Sequence, residues 1–566
     1  MKLSRWRIAL IGIAMLGAAG WYIFHSYWYY LPGIMATIRD PVGASRAVSW
    51  EQGPMVATAA QGTSAQGTSS QGKRAPNVIV ILADDLGWND ISFNGGGVAG
   101  GAVPTPNIDS IGKDGVSFGQ AYAGNATCAP SRAAIMTGRY ATRFGFEFTP
   151  APKAFSKLIS TYSLAGRLPS YYFSEREKDI SDSIADLTVP TSEIMIGQLM
   201  KTRGYHTVML GKWHLGGAPA TRPQDRGFDE ALAFYDGASM FLPEGDSNVV
   251  NSKQDFDPID KFLWANLRFG VRYNGSNQFE PDRYMTDYLG REAVRAIEAN
   301  RNRPFFMYLA FNAPHTPLQA LKSDYDALGQ IGDHRLRVYG AMIRALDRNV
   351  GLVLDALRAQ GLDENTLVIF TSDNGGANYI GLADINKPFR GWKATFFEGG
   401  IHVPFFMKWP AKIAQGVRFD KPVGHVDIFA TAAAAAVPAA NIPTDRALDG
   451  VDLMPFATGA SDRPPHKTLF WRDGDYRVLL AGSWKLQTAE RPNKAWLNNL
   501  ADDPNEKVNL AEQMPDKVAE LRAIMATVDA EQSKPLWPTL LETPVRIDQP
   551  LGTPAQAGAE YIYWAN

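Results

Sequence analysis

The chain has 566 residues, of which 45% are hydrophobic and 20% are charged, and its formal net charge at pH 7 is −2. This composition is that of a globular protein, and the length requires several domains or one large domain with a subdomain. The charge balance has no basic surplus, which argues against a nucleic-acid partner. The single cysteine, Cys128, excludes an intramolecular disulfide, so the fold must depend on its core.

The N-terminus has the pattern of a membrane anchor. Three basic residues within 1–7 precede an uncharged run, and aromatic residues end it near Tyr30. Residues 8–30 together are long enough to span a bilayer, and the basic residues predict that 1–7 form a cytoplasmic stub. We therefore predict an exported, periplasmic or otherwise extracytoplasmic protein with a transmembrane signal anchor over 8–30; a cleaved signal peptide is the alternative.

A flexible linker is predicted over residues 31–75. Its most characteristic part is AAQGTSAQGTSSQG at 59–72, which nearly repeats itself. Such a Gly-, Ser-, Thr- and Gln-rich stretch buries too little apolar surface to become ordered. A catalytic domain over 76–455 and a C-terminal subdomain with a tail over 456–566 are expected to follow.

Short apolar runs alternate with helical patterns after residue 76, which is typical of an α/β fold. The helical patterns cover 192–201, 283–299 and 336–360. Four apolar runs are each followed by polar residues: 78–82 by Asp84 and Asp85, 207–210 by Lys212 and His214, 305–309 by His315, and 366–370 by Asp373 and Asn374. Ligands of open α/β sheets gather at the carboxyl ends of the strands. The four runs therefore predict one shared site.

The acidic residues at two of these strand ends have the character of a metal site. Asp84 and Asp85 repel each other unless a cation lies between them. Together with Asp373 and Asn374 they offer only oxygen atoms, which favours Ca²⁺ or Mg²⁺ over zinc or copper. Either pair alone could belong to a turn, but two pairs at equivalent strand ends favour a metal.

Cys128 begins the segment Cys-Ala-Pro-Ser-Arg, which places a nucleophile beside an anion-binding element. Pro130 can open a helix, and the free N–H groups of a helix N-terminus attract an anion. The planar guanidinium of Arg132 suits the oxygens of sulfate or phosphate. From these residues alone, an enzyme that uses the plain thiolate is also possible.

The Cys-x-Pro-Ser-Arg segment resembles the sequence that marks type I sulfatases, in the arylsulfatase branch of the alkaline-phosphatase-like superfamily. Further segments match that family in its order: PNVIVILADDLGWND, GYHTVMLGKWHLG, NAPHTPL, TSDNGG, GWKATFFEGGIHVPF and NLADDPNEKVNLA. The resemblance covers most of 76–530 and implies an α/β fold with a large mixed, mostly parallel sheet flanked by helices. A small C-terminal subdomain is expected, with antiparallel strands at 467–471, 476–480 and 484–487 and a helix at 516–530. The tail from 534 has no assigned structure. The unmatched stretches 150–189 and 239–281 are expected to wall the substrate pocket.

The resemblance implies a sulfuric ester hydrolase that converts the sulfate ester of a small molecule or glycan to an alcohol or phenol and inorganic sulfate. A formylglycine-generating enzyme would oxidise Cys128 to formylglycine (3-oxoalanine), whose gem-diol would be the nucleophile. One Ca²⁺ per chain would be bound by Asp84, Asp85, Asp373, Asn374 and the modified Cys128.

The resemblance also implies roles for the remaining site residues. Arg132 would hold the diol and the metal ligands, and Lys212 and Lys393 would grip the sulfate. His315, with Lys393, would protonate the leaving oxygen, and His214 would take a proton from the diol to expel sulfate. Two other histidines, His402 and His425, are expected to be structural. A phosphoester or phosphonate monoester hydrolase of the same superfamily and a non-catalytic sulfatase-like binding protein are the alternatives.

Overall fold

The computed structural model describes residues 5–54, 74–161, 168–436 and 442–566. Its centre is a nine-stranded mixed sheet whose strands, from edge to edge, are Val417–Phe419, Val116–Phe118, Phe405–Lys408, Thr366–Ser372, Asn77–Ala83, Phe305–Ala310, His206–Lys212, Glu230–Phe234 and Arg272–Tyr273. The five strands from Thr366–Ser372 to Glu230–Phe234 are parallel. The four strands predicted from the apolar runs are therefore confirmed, and they are neighbours in the sheet.

Helices cover both faces of this sheet, which explains why its central strands are apolar throughout. Alternate residues of Asn77–Ala83 point to opposite faces. Ile79 and Ile81 belong to one core with the helices Pro106–Lys113, Met285–Ala299 and His334–Ala359. Val78, Val80 and Leu82 belong to a second core with the helices Cys128–Thr137, Ile196–Lys201 and Val426–Ala436.

Shorter elements surround these layers. The additional helices are Val98–Gly101, Lys153–Thr161, Pro258–Asn266, Lys322–Asp326, Glu398–Ile401 and Met454–Ala457. Two small two-stranded sheets pair Val249–Ser252 with Leu318–Leu321 and Ala121–Tyr122 with Val423–Gly424.

The C-terminal subdomain is an antiparallel sheet covered by one helix, as predicted. Its strands are Thr468–Asp473, Tyr476–Ala481, Trp484–Ala489 and Lys494–Asn499, and its helix is Pro515–Asp529. The last of these strands was not anticipated from the sequence. The tail, which had no assigned structure, forms the strands Leu541–Arg546 and Tyr561–Ala565 and pairs with Tyr171–Tyr172 of the catalytic domain.

The N-terminal region departs from its prediction. It contains the helices Arg5–Tyr27 and Leu31–Arg39. No helix within the described ranges combines the length and the apolar character needed to cross a membrane, so the structure does not support the transmembrane helix predicted over 8–30.

The predicted flexible linker over 31–75 is corrected for residues 31–54. After the helix Leu31–Arg39, Gly43 donates a backbone hydrogen bond to Gln278, and Trp50 is 5% exposed with its Nε1 3.0 Å from Glu292. The apolar side chains of Val48 and Trp50 are buried and hold this part of the chain against the catalytic domain. The low-complexity stretch of the predicted linker begins only after these two residues. Residues 55–73 lie outside the described residues.

Candidate active site

Two adjacent parallel strands bring the predicted acidic residues together. Ala83 and Ser372 are register partners, so Asp84–Asp85 and Asp373–Asn374 leave the sheet side by side. The backbone N–H of Asp85 donates to Asp373 Oδ1 at 3.1 Å, and Asn374 Nδ2 donates to Asp85 Oδ1 at 2.7 Å. Asp85 has φ of 60°, in the left-handed region that non-glycine residues seldom adopt. Such strain at a strand end is typical of functional sites.

Cys128 is the first residue of the buried helix Cys128–Thr137, and its thiol faces the same acidic group. The Sγ atom lies 3.6 Å from Asp84 Oδ1 and 3.8 Å from Asp85 Oδ1. Lys393 Nζ lies 3.1 Å from the Sγ atom. Burial raises the pKa of the Cys128 thiol to about 12, although Lys212 and Lys393 act in the opposite direction. Burial therefore opposes formation of the thiolate, which disfavours an enzyme that uses the plain thiolate.

Arg132 and Lys212 form ion pairs with the carboxylates of Asp84 and Asp373. Arg132 Nε and a terminal nitrogen lie 2.9 and 2.8 Å from Asp373 Oδ2, and that terminal nitrogen is 3.5 Å from Asp84 Oδ1. Lys212 Nζ lies 2.8 and 3.0 Å from the two oxygens of Asp84. All four side chains are fully buried, so each charge depends on its partners.

The pKa values of two of these carboxyls move in opposite directions. Burial and the neighbouring Asp373 raise the pKa of Asp84 to about 7, although Lys212 and Arg132 oppose this shift. Burial would also raise the pKa of Asp373, but Arg132 and Lys212 outweigh it and hold that pKa well below its usual range. The raised pKa of Asp84 marks a carboxylate that a further cation would stabilise.

Lys393 joins the opposite side of the cluster and brings in a residue that the sequence did not reveal. Its Nζ atom lies 2.7 Å from Asp85 Oδ1, 3.3 Å from His315 Nε2 and 3.1 Å from the hydroxyl of Tyr379. The Tyr379 hydroxyl donates to Asp85 Oδ2 at 3.1 Å. In the sequence, only the position of Tyr379 in the loop after Asp373 pointed to the site. A single uncharged tyrosine forms no motif from which its role could be predicted.

The two predicted catalytic histidines are buried and differ in their contacts. His315 Nδ1 contacts the carbonyl oxygen of Thr316, and its Nε2 lies 3.5 Å from Asp85 Oδ2. Burial lowers the pKa of His315 to about 3, with Asp85 opposing the shift. His214 lies beside the backbone of Pro150, and within the described part of the chain neither of its ring nitrogens makes a hydrogen bond of good geometry. Burial, followed by the charge of Lys212, holds the pKa of His214 well below its usual range, so its imidazole is neutral at rest.

The other two histidines near the site have both ring nitrogens occupied, as expected for structural residues. His425 contacts Ser131 Oγ at 3.0 Å and Thr371 Oγ1 at 3.1 Å. His402 contacts Glu398 at 2.8 Å and the carbonyl oxygen of Gly119 at 3.0 Å.

A cavity of about 600 Å³ opens onto Cys128, His214, His315, Tyr379 and Lys393. It therefore brings together one predicted nucleophile, two predicted proton carriers and a cation. The two unmatched stretches of the sequence wall this cavity, as predicted, through residues that include Pro150, Phe155, Ile184, Ile259, Phe262 and Leu263. The helix Leu31–Arg39 supplies a third wall that the sequence did not predict.

The acidic group fits a hard metal ion. Ligand atoms of Asp84, Asp85, Cys128 and His315 all lie within 4.8 Å of one another. Asn374 Oδ1 is buried and has no hydrogen-bond partner in the described ranges, which leaves one more oxygen to be satisfied. Carboxylate and amide oxygens are the donors that Ca²⁺ and Mg²⁺ prefer.

Comparison with known proteins agrees with the fold and with the site. Residues 76–438 match the model of the sulfatase family. The mouse N-acetylgalactosamine-6-sulfatase is 30% identical over 418 residues, which cover 72% of this chain and 71% of that protein. The rat steryl-sulfatase is 30% identical over 489 residues, which cover 76% of this chain and 78% of that protein. A solved structure described as Ps i-CgsB in complex with k-i-k-neocarrahexaose has a TM-score of 0.67 and 31% identity, over 82% of this chain and 95% of that one.

The fold and the site thus define a sulfuric ester hydrolase of the alkaline-phosphatase-like class. The chain belongs to the sulfatase family, whose model covers more than half of its length.

Proposed function

We propose that this enzyme hydrolyses sulfate esters through a formylglycine formed from Cys128, with one Ca²⁺ on Asp84, Asp85, Asp373 and Asn374. The observation that carries the proposal is the position of Cys128, whose Sγ lies against two buried carboxylates and 3.1 Å from Lys393. Burial opposes the thiolate form there, so an oxidised form of the residue explains the arrangement better. The carboxylate and amide oxygens of these four residues and the family membership support calcium.

When present, formylglycine would supply a hydrated-aldehyde hydroxyl as the nucleophile, and Ca²⁺ would supply positive charge that stabilises the sulfuryl oxygens. The protein binds and orients the substrate around them. Lys393, which lines the cavity, holds the sulfate oxygens, and Lys212, which is buried against Asp84, adds positive charge to the same site. Arg132 holds the carboxylates of Asp373 and Asp84 in place through its contacts with both of them.

Proton transfer falls to the two histidines. His315 Nε2, which lies 3.3 Å from Lys393 Nζ, relays a proton from that ammonium group to the leaving oxygen, so the imidazole itself is neutral at rest. His214 is neutral and lines the cavity together with Cys128, so it is the base that takes a proton when sulfate is expelled. Maturation by a formylglycine-generating enzyme and export from the cytoplasm are part of the proposal; the basic residues before the uncharged N-terminal run support export.

Mass spectrometry of the tryptic peptide 114–132 tests the nucleophile. The protein should be produced together with a formylglycine-generating enzyme, and Cys128 should show the mass loss of CH₂SH becoming CHO. An intact thiol in fully active protein would overturn the proposal.

Kinetics with paired substrates test the reaction. 4-Nitrophenyl sulfate should be hydrolysed with a much higher kcat/KM than 4-nitrophenyl phosphate, and Cys128→Ala should abolish both activities. Chelation followed by return of Ca²⁺ or Mg²⁺ identifies the metal. A preference for the phosphate ester would favour the phosphoester hydrolase instead.

A further inference from the structure

A second cavity of about 380 Å³ adjoins the catalytic cavity. The two share part of their walls, including His214, Asp236 and Arg268. A substrate whose sulfate lies at Cys128 therefore has a continuous surface to follow past His214. The second cavity is called the arginine chamber below, because Arg222, Arg268 and Arg272 line it.

The three guanidinium groups have few negative partners. Arg268 and Arg272 are each 18% exposed, and both approach one carboxylate, that of Asp40. Arg222 Nε donates to the carbonyl oxygen of Gly217 at 2.9 Å. No ion pair found within the described ranges includes Arg222.

The charges lining the arginine chamber leave a positive excess. Its walls carry three guanidinium groups and two carboxylates, those of Asp40 and Asp236. Guanidinium groups bind carboxylate and sulfate oxygens through paired N–H donors. The excess charge and the remaining donors of Arg222 therefore suit an anion.

We propose that the arginine chamber is a subsite for a second anionic group, a sulfate or a carboxylate, of a substrate whose sulfate ester lies at Cys128. The substrate class is then a multiply anionic glycan. The proposal rests on the proposed function only for the position of the ester that is cleaved.

Binding to the Cys128→Ala protein tests the arginine chamber without turnover. Isothermal titration calorimetry would compare three disaccharides that carry one sulfate, two sulfates, or one sulfate and a uronic acid carboxylate. The second anion should tighten binding by about tenfold or more. Arg222→Gln and Arg272→Gln should remove most of this gain, while Arg222→Lys should keep part of it. Comparison of the disulfated disaccharide with the one that carries a carboxylate shows whether the arginine chamber prefers a sulfate or a carboxylate.

Controls separate this proposal from the proposed function. Arg463→Gln, at an exposed position, should leave every affinity unchanged. Arg463→Gln should also hydrolyse 4-nitrophenyl sulfate at the unmutated rate, because Arg463 lines neither cavity. The subsite proposal would be overturned if the second anion increased the affinity equally in Arg222→Gln, Arg272→Gln and the parent protein. It would also be overturned if the second anion increased the affinity of none of them. Failure to hydrolyse any sulfate ester would instead overturn the proposed function, and the binding comparison would still decide the subsite.

Discussion

Gly237→Ala is expected to disable the enzyme by displacing His214. A Cβ atom at position 237 would lie 2.8 Å from His214 Cε1 and 2.9 Å from its Nε2. Carbon atoms in ordinary contact lie about 3.5–4.0 Å apart, so the imidazole must move by roughly 0.7–1.2 Å. A misplacement of about 1 Å can cost about 100-fold in rate, which corresponds to about 2.7 kcal/mol of activation free energy.

The assay is the hydrolysis of 4-nitrophenyl sulfate at saturating substrate, with the formylglycine content of each protein measured by mass spectrometry. Gly424→Ala is the matched control, because no atom lies closer than 3.7 Å to a Cβ atom built there. It should keep the parent kcat. Thermal unfolding of both variants would show whether lost activity reflects lost folding.

A double-mutant cycle makes the reasoning specific to His214. His214→Gln alone should lower kcat by about 10²–10⁴-fold, as for the loss of a general base. Adding Gly237→Ala to the His214→Gln variant should lower kcat only slightly further, because both changes remove the same function. A kcat for Gly237→Ala within twofold of the parent, at equal formylglycine content, would refute the role assigned to His214.

Three further predictions follow from the contacts of the site and of the subdomain. Arg132→Lys loses the paired contacts with Asp373 and should weaken Ca²⁺ binding by about 10–100-fold in a chelator titration; unchanged affinity would contradict the positioning role. Unmodified Cys128, with its pKa raised to about 12, should resist iodoacetamide at pH 8 until the protein is unfolded, as followed by intact mass. Burial would lower the pKa of His466, but Asp427 at 2.8 Å outweighs it and raises that pKa. The stabilisation that the His466–Asp427 ion pair contributes is then complete below about pH 6.5. It is lost as the pH rises through the folded-state pKa of His466. His466→Asn should therefore lower the free energy of unfolding more at pH 5.5 than at pH 9 in urea titrations, and an equal loss at both would contradict this.

The chemical centre could be predicted because it obeys local rules. A buried parallel strand must be apolar and must end in polar residues, and parallel neighbours end at the same edge of the sheet. Asp84 and Asp373 meet for this reason, through the pairing of Ala83 with Ser372. The predicted strands and the predicted helix of the C-terminal subdomain follow from equally local patterns.

The contacts that the sequence did not reveal lie outside the central strand ends, between parts of the chain that no local pattern connects. Trp50 is buried against Glu292, which lies 242 residues further along the chain, and no local pattern announces that partner. The strand Leu541–Arg546 likewise pairs with Tyr171–Tyr172. Tyr379 reaches Asp85 only through the conformation of its loop. Such contacts depend on how the whole chain folds.

The division between predicted and unpredicted parts also bears on substrate choice. Cys128, the carboxylates and the lysines lie within 76–438, the region that matches the sulfatase family. One cavity wall comes from Leu31–Arg39, which precedes that region, and Asp40 ties this wall to Arg268 and Arg272 of the arginine chamber. The groups that surround the rest of a substrate are therefore supplied partly from outside the shared domain. The substrate of a relative that is 30% identical is thus a weaker guide to this enzyme than the charges of its own walls.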